Sequence, residues 1–218
     1  MNTQDIIQQT ADMVQEKFAN EASGHDRRHI YRVRQNAKHI AQNEECDMFV
    51  VELGALLHDI ADYKAHDGDE KIGWKVTRER LLSLQLPEST IQAVVHIVDS
   101  ISFKGKNHDE GYKSIECQVV QDADRLDAIG AIGVARTFAF GAHRWAPMHT
   151  PDIAPNIEIT KEQYINNKKW STINHFYEKL LLLKDRMNTA TGKKIAQHRH
   201  EYMQGFLDEF LAERDGLK

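Results

Sequence analysis

The residue pair that most directly suggests chemistry is His58-Asp59, which ends an apolar run in the segment VVELGALLHDIADY. Imidazole nitrogens and carboxylate oxygens are both common ligands of divalent metals. The His-Asp pair occurs four times in the chain, at residues 25–26, 58–59, 66–67 and 108–109. His58-Asp59 is distinguished by the mostly apolar residues that precede it, which predict burial of this pair. A buried carboxylate requires a metal or a charged partner to offset its desolvation. The sequence therefore favours metal binding at this pair; the alternative is an ion pair between Asp59 and an arginine.

A further histidine ligand is expected upstream of this pair. His25 and His29 stand one helical turn apart in the segment GHDRRHIYRV. His29 is the better candidate because it precedes Ile30 and lies one turn from Val33, both on the predicted apolar stripe. An isolated histidine near such a stripe is more often a core residue than a ligand. The choice of His29 therefore depends on the metal candidate already found.

A carboxylate ligand is expected downstream, where the segment QDADRLDAIGAIG contains Asp122, Asp124 and Asp127. At about 100 degrees per residue, Asp124 and Asp127 share a helical face, whereas Asp122 lies nearly opposite Asp124. Asp122 is one turn from Arg125 and is placed to pair with it. We predict Asp124 as the metal ligand and Asp127 as a neighbouring catalytic or substrate-contacting group. Asp122 is the alternative ligand if the helix begins later, and a capping aspartate with a surface ion pair is the non-functional interpretation.

These candidates together supply two imidazole nitrogens and two carboxylate oxygens. A mixed nitrogen and oxygen donor set accepts several divalent metals. Affinity order alone does not choose among these metals. Manganese is our first choice for the single ion, and iron, cobalt, nickel, zinc and magnesium are unranked alternatives. An ion at such a site lowers the pKa of bound water and polarises the attacked centre. The set therefore predicts metal-assisted hydrolysis.

Helices must position these residues, because nearly every segment has helical rather than strand periodicity. Asp26 and Asp47 are predicted helix N-caps, and Pro87 opens a helix that turns Ile91, Val94, Val95 and Val98 inward. Long helices are expected over residues 4–20, 72–84, 161–185 and 190–214, and one continuous helical stretch from residue 114 to about residue 142. There is neither an internal repeat nor an interdomain linker. The sequence thus predicts a single all-α domain, residues 1–218.

Residues 141–160 hold three of the four prolines and are predicted to form an irregular excursion. Long loops of this kind often serve as lids or binding loops. His143, Arg144 and Trp145 in this excursion are candidates to close over a base or ribose. Packing of Trp145 into the core is the more common alternative.

The order His29, His58-Asp59, Asp124 resembles the HD-domain superfamily of metal-dependent phosphohydrolases, defined by H…HD…D on helices. The strings HDRRHIYRV, LGALLHDIADYK, HIVDSISFKG and QDADRLDAIGAIGVAR resemble a subgroup of small bacterial HD hydrolases that includes nucleotide pyrophosphohydrolases. The match spans about residues 20–140, and the helices at 161–214 also suit that subgroup's plan. The resemblance implies an HD-type helical bundle with one metal, which hydrolyses phosphoesters or phosphoanhydrides of nucleotides. Ala-Asp-Arg-Leu around Asp124 resembles the ligand segment of alarmone hydrolases.

Other polar residues are candidates for catalysis and substrate binding. Asp62 returns to the helical face of Asp59 and is predicted to activate water, with a solvated helix end as the alternative. His96 and Asp99 lie one turn apart on an apolar helix that the resemblance places near the site. We predict that both line the site, with His96 contacting a phosphate or water and Asp99 orienting it; structural polar pairing is the alternative. The remaining predicted contacts to phosphate are Lys64, Lys104 and Arg125, with a structural ion pair as an equal alternative for Arg125.

The sequence therefore predicts a metal-dependent phosphohydrolase that cleaves a nucleoside triphosphate to monophosphate and pyrophosphate. A nucleoside monophosphate or a cyclic or alarmone-type nucleotide is the second choice of substrate. The alternative from another class is a non-catalytic module that senses a nucleotide through the same metal-binding pocket.

Composition bears on partners and location. The net charge of −5 argues against nucleic acid and membrane surfaces as partners. Cys46 and Cys117 have neither zinc nor redox spacing, and no apolar run approaches the roughly 20 residues that span a bilayer. We expect a cytoplasmic protein whose partner is a small nucleotide. Its amphipathic C-terminal helix is predicted either to pack internally or to form a homodimer through Met203, Phe206, Phe210 and Leu211.

Overall fold

The computed structural model of the chain describes residues 2–19, 27–60, 72–101, 113–156 and 171–218. Its regular secondary structure over these residues is helical, which confirms the predicted all-α class. The helices are α1 (Thr3–Lys17), α2 (Arg27–Ala41), α3 (Met48–Leu57), α4 (Ile72–Ser83), α5 (Glu88–Ile101), α6 (Ile115–Asp127), α7 (Gly130–His143), α8 (Thr172–Glu178), a 3-10 helix (Leu180–Arg186) and α9 (Ala190–Arg214). None of the described helices is long and apolar enough to cross a membrane.

The chain divides into two compact units, residues 1–124 and residues 125–218. The first unit is built around α3, which contacts α1, α2 and α5. Asp47 caps this helix as predicted, because its carboxylate accepts hydrogen bonds from the backbone N–H groups of Phe49 and Val50 at 2.9 and 3.4 Å. Seven of the ten residues of α3 are buried. Its C-terminal end therefore delivers His58 into the interior of the unit.

Close packing of α3 depends on Gly54. A Cβ atom at this position would lie 2.9 Å from Cδ1 of Ile97 in α5 and 3.4 Å from Cγ2 of Val120 in α6. The inward face of α5 differs from the prediction by one residue: Ile97 is buried, whereas Val95 is only partly so. The buried face is centred near Val94, so Ile97 falls within it and Val95 lies at its margin.

The second unit begins with a break that the sequence did not predict. The expected continuous helix ends at Asp127, and α7 begins at Gly130. Gly130 has φ of +75°, a region that favours glycine, and a Cβ atom there would lie 2.9 Å from Cγ of Arg199. Close approach of α9 to this turn therefore accompanies the interruption of the helix.

The helix predicted over residues 161–185 is also different. Residues 161–170 lie outside the described part of the chain, and α8 ends at Glu178 before a 3-10 helix follows. The final helix extends over residues 190–214 as predicted, and Thr189 caps it by accepting a hydrogen bond from the backbone N–H of Gly192 at 2.9 Å.

Four phenylalanines connect the helices of the second unit. Phe138 of α7 lies with its ring centroid 6.2 Å from Phe176 of α8 and 5.8 and 6.3 Å from Phe206 and Phe210 of α9. The internal packing that was one alternative for the C-terminal helix is therefore present. Dimerisation through this helix stays a prediction.

Trp145 is not a core residue. Its side chain is 94% exposed, and its backbone has φ of +54°, in the left-handed region that non-glycine residues seldom adopt. The preceding Arg144 places its guanidinium 5.6 Å from the ring centroid of Phe140. The core-packing alternative for Trp145 is thus wrong, and a role in substrate closure stays a prediction.

His175 in α8 is expected to make stability depend on pH. Burial, and then the charge of Lys179, lowers its pKa from 6.5 to about 4. The folded state thus keeps this imidazole neutral between these pH values, whereas the unfolded chain binds a proton there. The contribution of His175 to the free energy of unfolding is therefore fully present above about pH 6.5. It falls by about 3 kcal/mol in total as the pH drops towards 4.

Urea unfolding of the wild type and a His175→Asn variant between pH 7 and pH 4.5 measures this effect. The free energy of unfolding should fall less steeply in the variant. His198→Asn, at an exposed position of α9, is the control and should follow the wild-type slope. Parallel slopes for the wild type and His175→Asn would rule out the proposed contribution of His175.

Candidate metal centre

Three helices bring together the four side chains that the sequence singled out as metal ligands. His29 lies in the first turn of α2, His58 and Asp59 follow directly after α3, and Asp124 belongs to α6. The two histidines are buried, whereas the side chains of Asp59 and Asp124 are 27% and 36% exposed. The cluster therefore has an imidazole side within the protein and a carboxylate side that solvent reaches.

The donor atoms of the cluster lie close to one another. Nε2 of His29 is 3.3 Å from Nε2 of His58, 3.5 Å from Oδ2 of Asp59 and 3.5 Å from Oδ1 of Asp124. Nε2 of His58 is 3.4 Å from Oδ2 of Asp59 and 3.9 Å from Oδ1 of Asp124. His29, His58 and Asp59 form the tightest group, with ligand atoms all within 4.8 Å of one another.

These separations suit one shared cation. Nitrogen and oxygen ligands at about 2.1 Å from a common ion are about 3 Å apart at right angles and about 3.4 Å apart at tetrahedral angles. The shortest observed separations fall at or just above these values. The residues present therefore fit a divalent metal without a large movement of any helix.

The ring of His58 is oriented for metal binding by its own helix. Nδ1 lies 2.9 Å from the carbonyl oxygen of Ala55. A proton on Nδ1 is donated to this carbonyl, which leaves the Nε2 lone pair directed at the other donor atoms. Such a hydrogen bond from the second ring nitrogen is the usual partner of a metal-binding histidine.

The electrostatics of the cluster favour positive charge. Burial by itself lowers the pKa of His58, but the carboxylate of Asp59, followed by that of Asp124, outweighs burial and raises this pKa to about 9. The two carboxylates thus stabilise a cation among these side chains even where a charged imidazole has to be desolvated. This is the electrostatic condition that a divalent metal requires.

Interhelical contacts that the sequence did not reveal hold the three helices that carry the donors. Arg34 of α2 forms an ion pair with Glu52 of α3, and Asn36 of α2 donates a hydrogen bond to the carbonyl of Ala123 at 3.3 Å. Glu116 of α6 accepts a hydrogen bond from the backbone N–H of Asp47 at 3.1 Å. The spacing of seven residues places His29 and Asn36 on one face of α2. The sequence does not show, however, which residues of the other helices this face contacts.

The other predicted site residues of the first unit are less fully described. Asp62, Lys64 and Lys104 lie outside the described residues. His96 is exposed on α5, and Asp99 is partly buried one turn later. Both stay predicted substrate contacts.

The aspartates of α6 have different environments. Asp124 reaches both histidines, whereas Asp122 is fully buried, so a surface ion pair does not describe Asp122. Asp127, in the second unit, is also buried and accepts a hydrogen bond from Nη1 of Arg136 at 2.6 Å. Arg125, in the same unit, donates a hydrogen bond to the carbonyl oxygen of Arg186. Catalytic and substrate roles for Asp127 and Arg125 stay predictions.

Comparison with known proteins identifies the family. Residues 27–129, which contain all four clustered side chains, match the HD domain family. A crystal structure of an HD-superfamily hydrolase from Bacillus thuringiensis is 38% identical in sequence, superposes with a TM-score of 0.80, and aligns over 98% of this chain and 99% of that one. The chain belongs to the HD superfamily. It is therefore a hydrolase of the metal-dependent phosphohydrolase type, as the sequence predicted.

A second relative of this HD hydrolase is the YpgQ protein of Bacillus subtilis. The two sequences are 35% identical over 206 residues, which cover 94% of this chain and 91% of YpgQ. A crystal structure of YpgQ in complex with ADP superposes with a TM-score of 0.76 and covers 98% of this chain and 97% of that one. YpgQ, which aligns with this chain over nearly the whole length of both proteins, thus binds a nucleoside diphosphate.

Proposed function

We propose that this HD hydrolase cleaves a nucleoside triphosphate to the nucleoside monophosphate and pyrophosphate. The observation that carries the proposal is the cluster of His29, His58, Asp59 and Asp124, with two buried nitrogens and two partly exposed carboxylates. A ligand from solution would approach the ion from the carboxylate side, because these side chains are partly exposed whereas the histidines are buried. The ADP complex of YpgQ supports a nucleotide as that ligand.

We assign these four side chains as ligands of one divalent ion, with manganese as the first choice. When bound, the ion would supply charge neutralisation of the phosphate and a lower pKa for water. The buried histidines position the ion through their Nε2 atoms, and His58 is held in this orientation by its hydrogen bond to the Ala55 carbonyl. The carboxylates of Asp59 and Asp124 offset the charge of the ion on the solvent side.

Further residues are assigned to the reaction from sequence spacing and family resemblance. Asp62, three residues after Asp59, is proposed as the general base that takes a proton from the attacking water. Asp127 is proposed to assist from the following turn of α6. The chain carries a net charge of −5, so a polyphosphate requires local cations and hydrogen-bond donors. We propose that Lys64, His96, Lys104 and Arg125 share this role, and that Asp99 belongs to the substrate site by orienting the contact that His96 makes.

A nucleotide panel tests the proposed reaction. The purified protein is incubated with nucleoside triphosphates, diphosphates, monophosphates, cyclic nucleotides and an alarmone, each with manganese, cobalt, nickel, zinc or magnesium. We expect metal-dependent release of pyrophosphate and monophosphate in equal amounts from a triphosphate, fastest with manganese.

The products distinguish the alternatives. Release of inorganic phosphate from a monophosphate, or opening of a cyclic nucleotide, would replace the proposed substrate class and leave the metal site unchanged. Binding of a nucleotide by calorimetry with no turnover under any metal would favour the non-catalytic sensing module instead.

A further inference from the structure

A partly buried ion pair connects the two helices that carry three of the four clustered side chains. Arg34 lies in α2, five residues after His29, and Glu52 lies in α3, six residues before His58. Nε and Nη2 of Arg34 are 2.9 and 2.7 Å from Oε2 of Glu52. Lys38, one turn along α2, places its Nζ 3.7 Å from the same oxygen.

The geometry of this contact restrains the two helices more than a single charge pair would. A guanidinium is planar and rigid, so two of its nitrogens meet one carboxylate oxygen only over a narrow range of positions. The Arg34 and Glu52 side chains are 17% and 12% exposed, so solvent screens them weakly. Sliding or rotation of α2 along α3 would therefore break charged hydrogen bonds in a poorly solvated place.

The separation of His29 from His58 depends directly on how α2 and α3 are placed. Their Nε2 atoms are 3.3 Å apart, a separation that two ligands of one ion adopt at angles between octahedral and tetrahedral. A relative displacement of about 1 Å would move one nitrogen out of bonding distance, because metal–ligand bond lengths are confined to about 0.2 Å. Apolar packing around α3 fixes the relative position of the two helices less narrowly, because apolar contacts are not directional.

We propose that Glu52 and Arg34 are positioning residues, which hold α2 and α3 in the register at which His29, His58 and Asp59 share one metal ion. The inference rests on the proposed metal site. Glu52 acts through Arg34 and the helices and does not touch the ion or the substrate. Its loss should therefore weaken metal binding and alter ligand geometry.

A positioning role can be separated from a role in stability alone. Replacement of a buried ion pair by apolar residues of similar volume is often neutral or stabilising. An Arg34→Met, Glu52→Leu double variant should thus fold as well as the wild type but lack the directional contact. If the pair served only stability, this double variant would bind metal normally.

The experiment measures cobalt affinity by calorimetry, the visible absorption spectrum of the cobalt-loaded protein, and thermal unfolding of the metal-free protein. We expect Glu52→Gln and the double variant to bind cobalt about tenfold more weakly than the wild type, as is typical for residues that orient metal ligands. The absorption bands of the bound cobalt should shift in both variants.

A matched control uses the Arg78–Glu88 pair of the same unit. It also joins two helices, α4 and α5, at 2.8 Å, but its side chains are 35% and 50% exposed and neither helix carries a clustered donor. Glu88→Gln should leave cobalt affinity and spectrum at wild-type values.

The outcomes separate this inference from the metal assignment. Absence of cobalt binding by the wild type would overturn the metal site, and the inference with it. Normal binding and an unchanged spectrum in Glu52→Gln, or recovery of both in the double variant, would overturn the positioning role and leave the metal site intact. Equal weakening by Glu88→Gln would also count against it, because the effect would then follow any lost interhelical pair.

Discussion

Replacement of His58 by alanine is expected to abolish metal-dependent nucleotide hydrolysis while leaving the helical content largely unchanged. The substitution removes one of the two buried nitrogens of the cluster and leaves the carboxylates of Asp59 and Asp124 with His29 as their remaining imidazole partner in the cluster. Changes to residues that only orient a ligand already weaken metal binding about 10–100-fold, so loss of a ligand should weaken it by at least about 100-fold. Calorimetry with manganese and the nucleotide assay measure both effects.

A second variant distinguishes loss of metal binding from a folding defect. His58 is buried, and truncation of a buried side chain to alanine leaves a cavity that costs about 2–4 kcal/mol. Asp59→Asn keeps the side-chain shape at a partly exposed position and should lose hydrolysis without a comparable loss of stability. Circular dichroism and thermal unfolding establish that both variants are folded.

His39→Ala is the matched control for the metal cluster. His39 lies in α2, the helix that also carries His29, but it is exposed. Its replacement should leave manganese affinity and hydrolysis at wild-type values. Full activity in both His58→Ala and Asp59→Asn would contradict the assignment of the metal site.

Gly133→Ala is expected to lower the free energy of unfolding by about 3 kcal/mol, the upper part of the usual cost of overpacking. Alanine is the better helix former, and intrinsic propensity alone would predict a gain of about 1 kcal/mol in α7. A Cβ atom at Gly133 would, however, lie 2.4 Å from the carbonyl oxygen and 2.7 Å from the carbonyl carbon of Ala128. Backbone atoms cannot rotate away as a side chain can, so the turn before α7 must shift.

The same substitution in α9 supplies the control with the opposite sign. A Cβ atom at Gly205 would have nothing within 4 Å, and this glycine is exposed in the middle of the helix. Gly205→Ala should therefore raise the free energy of unfolding by about 0.5–1 kcal/mol. Urea unfolding of both variants measures the difference, and two effects of the same sign would contradict the backbone contact at Gly133.

Gly54 and Gly133 both make tight contacts, but the effect of replacing each glycine depends on which atoms lie next to it. At Gly54 the nearest atoms belong to the flexible side chain of Ile97, whereas at Gly133 they belong to the backbone. A sequence shows that both glycines stand in helical segments but not which atoms approach them. The energetic consequences of a substitution thus depend on contacts formed between distant parts of the chain.

Local physics explains why much of the fold was predictable. Periodicity of apolar residues identifies the helices because one face of each must be buried. Capping by Asp47 was predictable because the carboxylate and the N–H groups that it accepts from are neighbours in the chain. The break at Gly130 was not predicted, because Arg199, which is distant in the chain, packs closely against that turn. The 3-10 helix after Glu178 was not predicted either.

The sequence by itself determined the helical class, the family and the side chains His29, His58, Asp59 and Asp124 as candidates, because residue type and order carry that information. Tertiary structure alone decided that the two histidine Nε2 atoms lie 3.3 Å from each other and 3.4–3.9 Å from an oxygen of each carboxylate, with both histidines buried and both carboxylates partly open to solvent. It also decided that Arg34 meets Glu52. The physical reason is that helical phase is set within each segment, whereas the register of one helix against another is set by packing between segments.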